Sequence, residues 1–233
     1  MKNILIKLSG NRTKTLMLTL FVLITLASGQ DVVNAQITVS EKIPQYLFNR
    51  FADGIVVKKS GDTVVSLLNY NIVTEEMIFI DNDRFMALGN LQSIDTVYLN
   101  NMIFLPAGNA FYELAVIGRV KLLVQFSGTV RVEGEDVGYG ITSKTSRVTS
   151  LSALTNSGVL YNMDLPENLE VSRKITYYVE REGKRERFIN KGAFLRIFKD
   201  KRKELDQYIK QEGIDFDNYN DVVNLIQHLN SEV

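Results

Sequence analysis

Between Thr63 and Phe126 the chain passes through short apolar stretches, TVVSLLNYN, MIFI, FMAL, DTVYL, MIFL, FYELAVI and VKLLVQF, each followed closely by polar residues with turn chemistry. Runs of this length, cut by Asp81-Asn82-Asp83 and Asn100-Asn101, have the spacing of an antiparallel meander in which each strand pairs with the next. Asn100-Asn101 is the firmer turn signal, because Asn tolerates the positive φ that two-residue hairpin turns demand. Asp81-Asn82-Asp83-Arg84 resembles the opening of a calcium loop but lacks the Gly and the distal Glu at the required offsets, so it reads as a turn. Gly118-Arg119 is expected to turn or bulge the last pair of strands.

The same pattern extends to either side. Gly54–Lys59 (GIVVKK), then Ser60-Gly61-Asp62, then TVVSLL, reads as a hairpin. Alternation is imperfect through VVSLL, which predicts a strand covered on both faces. Later, Lys174–Val179, the charged turn Arg181-Glu182-Gly183-Lys184 and Arg187–Asn190 predict a final hairpin with a solvated edge. From Lys191 the period shifts toward 3.6, with Phe194, Phe198, Leu205 and Tyr208/Ile209 at helical spacing. A break near Lys199-Asp200 with Asp200 as cap, a stop at Gly213, and a last helix capped by Asn218 or Asn220 complete the tail. The last stripe is Val222, Leu225/Ile226 and Leu229. Helices this short need a surface to pack on. The fold class predicted is mainly β (α+β): an antiparallel meander forming a roll, open barrel or sandwich, with a small C-terminal helical element.

Residues 2–14 are cationic, Leu16–Ala27 form an apolar core, and Val33-Asn34-Ala35 supply small residues for cleavage, so residues 1–35 read as a signal peptide cut after Ala35. That apolar core is shorter than the ~20 residues of a spanning helix. The predicted organisation is thus a signal peptide (1–35), a β-rich domain (36–190) and C-terminal helices (191–233) packed on it. Removing residues 1–35 takes away Lys2, Lys7, Arg12 and Lys14 against Asp31, a net +3, and leaves the otherwise neutral chain at −3. Such a chain has no global field for nucleic acid. Between residues 171 and 210, however, thirteen Lys/Arg face six Asp/Glu, a local excess that suits acidic glycan or lipid head groups.

Cysteine is absent and histidine occurs once, which removes disulfides, thiolate nucleophiles, Cys/His zinc sites and nearly every triad. No cofactor or metal is therefore expected. The lone His228 has no orienting partner visible in sequence and reads as a solubilising residue or a C-terminal helix-end charge. Glu75, Glu76, Glu133, Glu135 and Asp136 are the carboxylates available for glycoside hydrolysis, and nothing fixes their separation. Ser143-Lys144 lacks any supporting motif. Tyr70, Tyr98, Tyr112, Tyr161, Tyr177 and Tyr178 are candidates for a carbohydrate surface, although strand tyrosines ordinarily pack with the hydroxyl at a rim.

The stretch 127–166 changes character: it holds Gly128, Gly134, Gly138, Gly140 and Gly158, and nine of the sixteen residues from Thr142 to Ser157 are Ser or Thr. It reads as a long loop, and long loops inside compact domains carry binding functions. Val137, Gly138, Tyr139, Gly140 and Tyr161 are the ligand or partner residues that this location nominates.

In Phe51–Asn71 (FADGIVVKKSGDTVVSLLNYN), Val137–Gly140 (VGYG), Gly158–Pro166 (GVLYNMDLP) and Phe188–Phe198 (FINKGAFLRIF) the chain resembles a group of exported proteins of the Bacteroidetes type that has no established activity. The resemblance implies an address in the periplasm, at the outer-membrane periphery or outside the cell, and no chemistry. The expectation is a non-catalytic envelope protein acting as a binding or assembly module, with another envelope protein or acidic glycan or lipid head groups as partner and no transmembrane span in the processed chain. The alternatives are a small-ligand-binding β-barrel-like protein and a carboxylate-dependent glycan hydrolase.

Overall fold

A computed structural model describes residues 43–132, 159–161, 165 and 169–231, all within the unit Ile37–Val233. Residues 1–35, expected to be a signal peptide, Val137–Gly140 and the acids Glu133, Glu135 and Asp136 lie outside the described residues.

Ten antiparallel strands form one sheet: β1 (Ala52–Lys58), β2 (Thr63–Asn71), β3 (Glu76–Asp81), β4 (Arg84–Ala87), β5 (Ile94–Leu99), β6 (Met102–Ala107), β7 (Ala110–Val116), β8 (Lys121–Val132), β9 (Leu169–Arg181) and β10 (Lys184–Phe188). Their spatial order, β10-β9-β8-β7-β6-β5-β1-β2-β3-β4, is two meanders fused where β5 returns beside β1. The sheet is open, with β4 and β10 at its edges. Three hairpins close on two-residue turns with both residues left-handed: Asn82-Asp83 (φ 48° and 60°), Asn100-Asn101 (49° and 63°) and Glu182-Gly183 (52° and 76°). These turns twist with the strands, which is why Asn, Asp and Gly mark the hairpins in the sequence.

The predicted loop 127–166 begins later than its composition suggests. Ser127–Val132 continues β8 and pairs residue by residue with Leu169–Lys174 of β9. Gly128 is required by a close approach rather than by a turn: a Cβ there would lie 3.0 Å from Ile72 Cγ1, at the far end of β2. The sheet therefore curls until β2 meets β8. Arg173 on β9 fastens this closure, donating to the carbonyl oxygens of Leu47 (3.4 Å), Pro44 (3.3 Å) and Tyr46 (2.5 Å) in the segment that precedes β1.

One cross-strand row runs along the inner face through seven strands: Val56, Val97, Phe104, Glu113, Val124, Tyr177 and Phe188. Every member is buried. Phe188 and Tyr177 continue into Phe194, Phe198 and Phe216, with ring centroids 4.9–6.2 Å apart. Aromatic contacts of this kind contribute ~1 kcal/mol each beyond their buried area.

Three helices complete the unit: α1 (Lys191–Ile197), α2 (Arg202–Gln211) and α3 (Tyr219–Ser231). Asn190 caps α1 by accepting the Ala193 N–H at 2.9 Å. The expected break follows, but Lys201 occupies the cap position of α2 without a side-chain hydrogen bond, so Asp200 is not its cap. Gly213, at φ 63°, lies beyond the end of α2. Asn218 Oδ1 accepts the N–H groups of Asn220 (2.9 Å) and Asp221 (3.3 Å) and so caps α3. Asp206 lies 2.7 Å from both Lys191 and Lys210, joining α1 to α2, and these two ammonium groups hold its carboxyl at about 2. His228 lies in the last turn of α3, as expected, and its ring stacks on Tyr208 at 3.6 Å and 5°, joining α3 to α2.

Candidate functional site

The outer face of the sheet departs most from what a solvated antiparallel sheet requires. Such a face ordinarily alternates with the core face and is polar. Here the register places Val65, Ile55, Tyr98 and Ile103 side by side across β2, β1, β5 and β6. Val65 is 67%, Ile55 42% and Tyr98 45% exposed, and Leu67 beside them 45%. The expectation that both faces of β2 are covered holds at Leu68–Asn71, all buried, and fails at Val64, Val65 and Leu67. Val65 and Leu67 of VVSLL mark an exposed apolar face, because among the described residues no element packs over them.

Leu105 and Tyr112 carry the face onto β7. Within the paired region of β2, β1, β5, β6 and β7, Asp53 is the one charged residue the register puts outward, opposite Leu67. Contiguous exposed apolar area of this kind marks interaction surfaces in soluble proteins.

Beyond β7 the outer face changes sign. Tyr112 stacks on Tyr178 with centroids 5.2 Å apart at 20°, and the Arg185 guanidinium lies 5.6 Å from the Tyr112 ring centroid. Tyr178 donates to Gln125 Oε1 (2.9 Å), whose amide donates to Glu75 Oε2 (2.7 Å). Burial, with Tyr178 next, pushes the Tyr112 hydroxyl up to about 12, so it remains a neutral donor. Arg187 pairs with Tyr178, and Lys174 lies opposite Ser127 on the same side. Arg185 and Lys121 share Glu180, at 2.9 and 3.1 Å, and their hydrogen bonds hold its carboxyl below the ordinary range. The outer face is thus a largely apolar field on β2-β1-β5-β6-β7, with Asp53 its one charge, joined through two tyrosines to a cationic flank on β8–β10.

Of the residues nominated from the loop, Tyr161 is the one among the described residues, and it is fastened rather than presented. Its hydroxyl donates to Glu76 Oε2 at 2.7 Å and its carbonyl oxygen accepts from Tyr46 at 2.6 Å, while Asn71 donates to the Leu160 carbonyl oxygen at 2.6 Å. Burial and then Glu76 push the Tyr161 hydroxyl up to about 12. These bonds pin the short 3-10 turn Val159–Tyr161 against the end of β2. Glu75 and Glu76 do not act as a pair: Glu75 lies in the β2–β3 turn at φ 59° and binds Gln125, whereas Glu76 opens β3 and binds Tyr161. Among the candidate tyrosines, Tyr98, Tyr112 and Tyr178 lie on the outer face, and Tyr70 and Tyr177 are in the core.

Glu113 is the acid that sequence reading passed over. It is 3% exposed, its Oε1 accepts from Tyr219 at 2.7 Å, and desolvation pushes its carboxyl up to about 7. FYELAVI is apolar in both alternation phases, so nothing local says which phase faces inward. Among the described residues no group of three or more His, Cys, Asp or Glu is arranged to hold a metal ion, and no helix is long and apolar enough to cross a membrane. No protein-family model, curated protein or solved structure matches the chain.

Proposed function

We propose that this chain is an exported, non-catalytic envelope protein that acts as a binding or assembly module, with the outer sheet face as its working surface. The observation that carries the reading is the uncharged row Val65–Ile55–Tyr98–Ile103, its first three members exposed and Ile103 half-buried where a solvated sheet would be polar. Its occupant is a folded partner protein with an apolar centre and an acidic flank. The acidic flank matches Arg185, Arg187 and Lys174, since charge complementarity fixes the register of such contacts. A partner of that form is favoured over a lipid surface because these side chains lie along strands of a curled sheet, instead of projecting from a loop or helix that could enter a bilayer. Export rests on the N-terminal pattern of cations, apolar core and small residues, and on the resemblance to exported Bacteroidetes-type proteins.

The alternatives have less support. The inner face carries Tyr70, Phe104 and Phe111, each under 2% exposed, which favours a filled core over a ligand cavity. Glu75 and Glu76 are each engaged by a neighbouring side chain and do not form a hydrolytic pair.

A photo-crosslinking residue at position 65 or 98, introduced into the chain in its own cell envelope, tests the reading. The expected result is a defined protein adduct from both positions, none from exposed Lys203, and loss of the adduct in Arg185→Glu/Arg187→Glu. Adducts equal at all three positions, or co-sedimentation with anionic vesicles that needs Tyr98, would overturn it. Native mass spectrometry of the same material reads the address: a mass beginning at Gln36 is expected, and an intact precursor contradicts export with cleavage after Ala35.

A further inference from the structure

Buried carboxyls are rare because water solvates their charge far better than a protein interior does. Glu113 sits mid-row on the inner face, between Phe104 and Val124 on the neighbouring strands. Its Oε1 accepts the hydrogen bond of Tyr219, the first residue of α3, while Oε2 is buried without a hydrogen-bond partner. Tyr177, two strands away in the same row, also has its hydroxyl buried without a hydrogen-bond partner.

The charges that act on Tyr177 are all negative. Asp217 and Asp215 from the turn before α3, Glu113 itself, and Asp221 from α3 act on Tyr177, while Glu113 and Tyr177 act on Tyr219. Among the described residues no lysine or arginine offsets them. A carboxylate at Glu113 is therefore a desolvated anion with one hydrogen bond. The neutral acid keeps the Tyr219 hydrogen bond without that cost.

We propose that Glu113 and Tyr219 form a proton-operated latch: with Glu113 as the neutral acid α3 is held on β7 and β8, and release of its proton to solvent loosens α3. The element that moves is defined. It starts after Gly213, is held at one end by Tyr219 on Glu113, and at the other by Asn230, which binds the Val120 N–H and carbonyl oxygen. Opening lets water solvate the Glu113 carboxylate, so the open state gains when the proton leaves.

Hydrogen exchange of the α3 amides, corrected for intrinsic rates, reads the opening equilibrium directly. With the carboxyl titrating at about 7 when docked and at 4.5 when solvated, opening is expected to rise ~70-fold between about pH 5 and about pH 8. In Glu113→Gln, which keeps an acceptor for Tyr219, the change is expected to stay within about twofold by the same linkage. Carboxyl NMR of the wild-type chain gives an independent reading, a midpoint well above the ordinary glutamate range. Equal pH dependence in wild type and Glu113→Gln would overturn the latch, as would an ordinary carboxyl midpoint. Opening of the α3 amides with the same free energy as the β8 amides of Leu122–Phe126 at every pH would also overturn it, because α3 would then open only with the whole fold.

Discussion

Asn230 binds Val120 as a neighbouring strand would: its Oδ1 accepts the Val120 N–H at 2.9 Å and its Nδ2 donates to the Val120 carbonyl oxygen at 2.8 Å. Val120 sits in the β7–β8 turn, 110 residues away in sequence. A side-chain amide here does what no strand is available to do, satisfying both polar groups of a buried residue. The same device recurs at Asn69, which accepts the Phe48 N–H at 3.2 Å and donates to its carbonyl oxygen at 2.9 Å.

Replacing Asn230 by Ala leaves both backbone groups of Val120 without their partner, and the expected loss is about 2–3 kcal/mol in a urea titration. Gly118→Ala is expected to act on the same contact, because its Cβ would fall 2.6 Å from Asn230 Cγ. The double variant should therefore lose clearly less than the sum of the two singles, as coupled sites do.

Tyr70 holds the curl of the sheet. Its hydroxyl lies 3.2 Å from the carbonyl oxygens of Phe111 and Phe126, just beyond Glu113–Val124, the pair at which the β7–β8 ladder ends. Burial, with Glu75 next, pushes this hydroxyl far above its ordinary value, so it remains a donor at any working pH. Tyr70→Phe keeps the ring on Phe104 and removes the donor, and a loss of about 1–3 kcal/mol is expected by chemical denaturation.

Glu113 gives stability an uncommon pH slope. Its folded-state value of about 7 lies above the ordinary 4.5, so the folded chain holds a proton that the unfolded chain releases. The contribution is fully present below about pH 4.5 and is lost as pH rises through about 7, an order of ~3 kcal/mol at 1.36 kcal/mol per unit. Glu113→Gln is expected to remove that slope and to be the more stable chain at about pH 8. Thermal midpoints measured across this range check it, and a wild type that gains stability from Glu113 as pH rises would refute the assignment.

The two faces of one sheet should answer substitution differently. Val97, fully buried in the inner row, is expected to cost about 2 kcal/mol when cut to Ala. Val65→Thr on the outer row is expected to stay within about ±0.5 kcal/mol, since Val65 is 67% exposed. Equal losses at the two positions would mean that the outer face is covered in the folded chain, and partner binding would need another surface.

Local chemistry determined the hairpins and the helical tail. Asn100-Asn101 adopts its turn because Asn tolerates the left-handed region, and the stripe Val222, Leu225, Ile226 and Leu229 is buried because it recurs at the helical period. The sequence likewise offers Asn218 or Asn220 as a cap, and Asn218 takes the position. It misplaced the end of β8, because Ser127–Val132 is stabilised by residues some forty positions away in β9, which composition does not report. Tertiary structure alone decided which apolar residues of the strands are core. VVSLL and FYELAVI carry apolar residues in both phases of a two-residue period, so the side a strand buries depends on which way the sheet curls. That curl is fixed by distant contacts, Tyr70 on Phe126, Gly128 under Ile72 and Arg173 on the segment before β1. It left Val65, Ile55 and Tyr98 outside and put Glu113 inside, against the ordinary preferences of all four, because a strand cannot turn one residue without turning its neighbours.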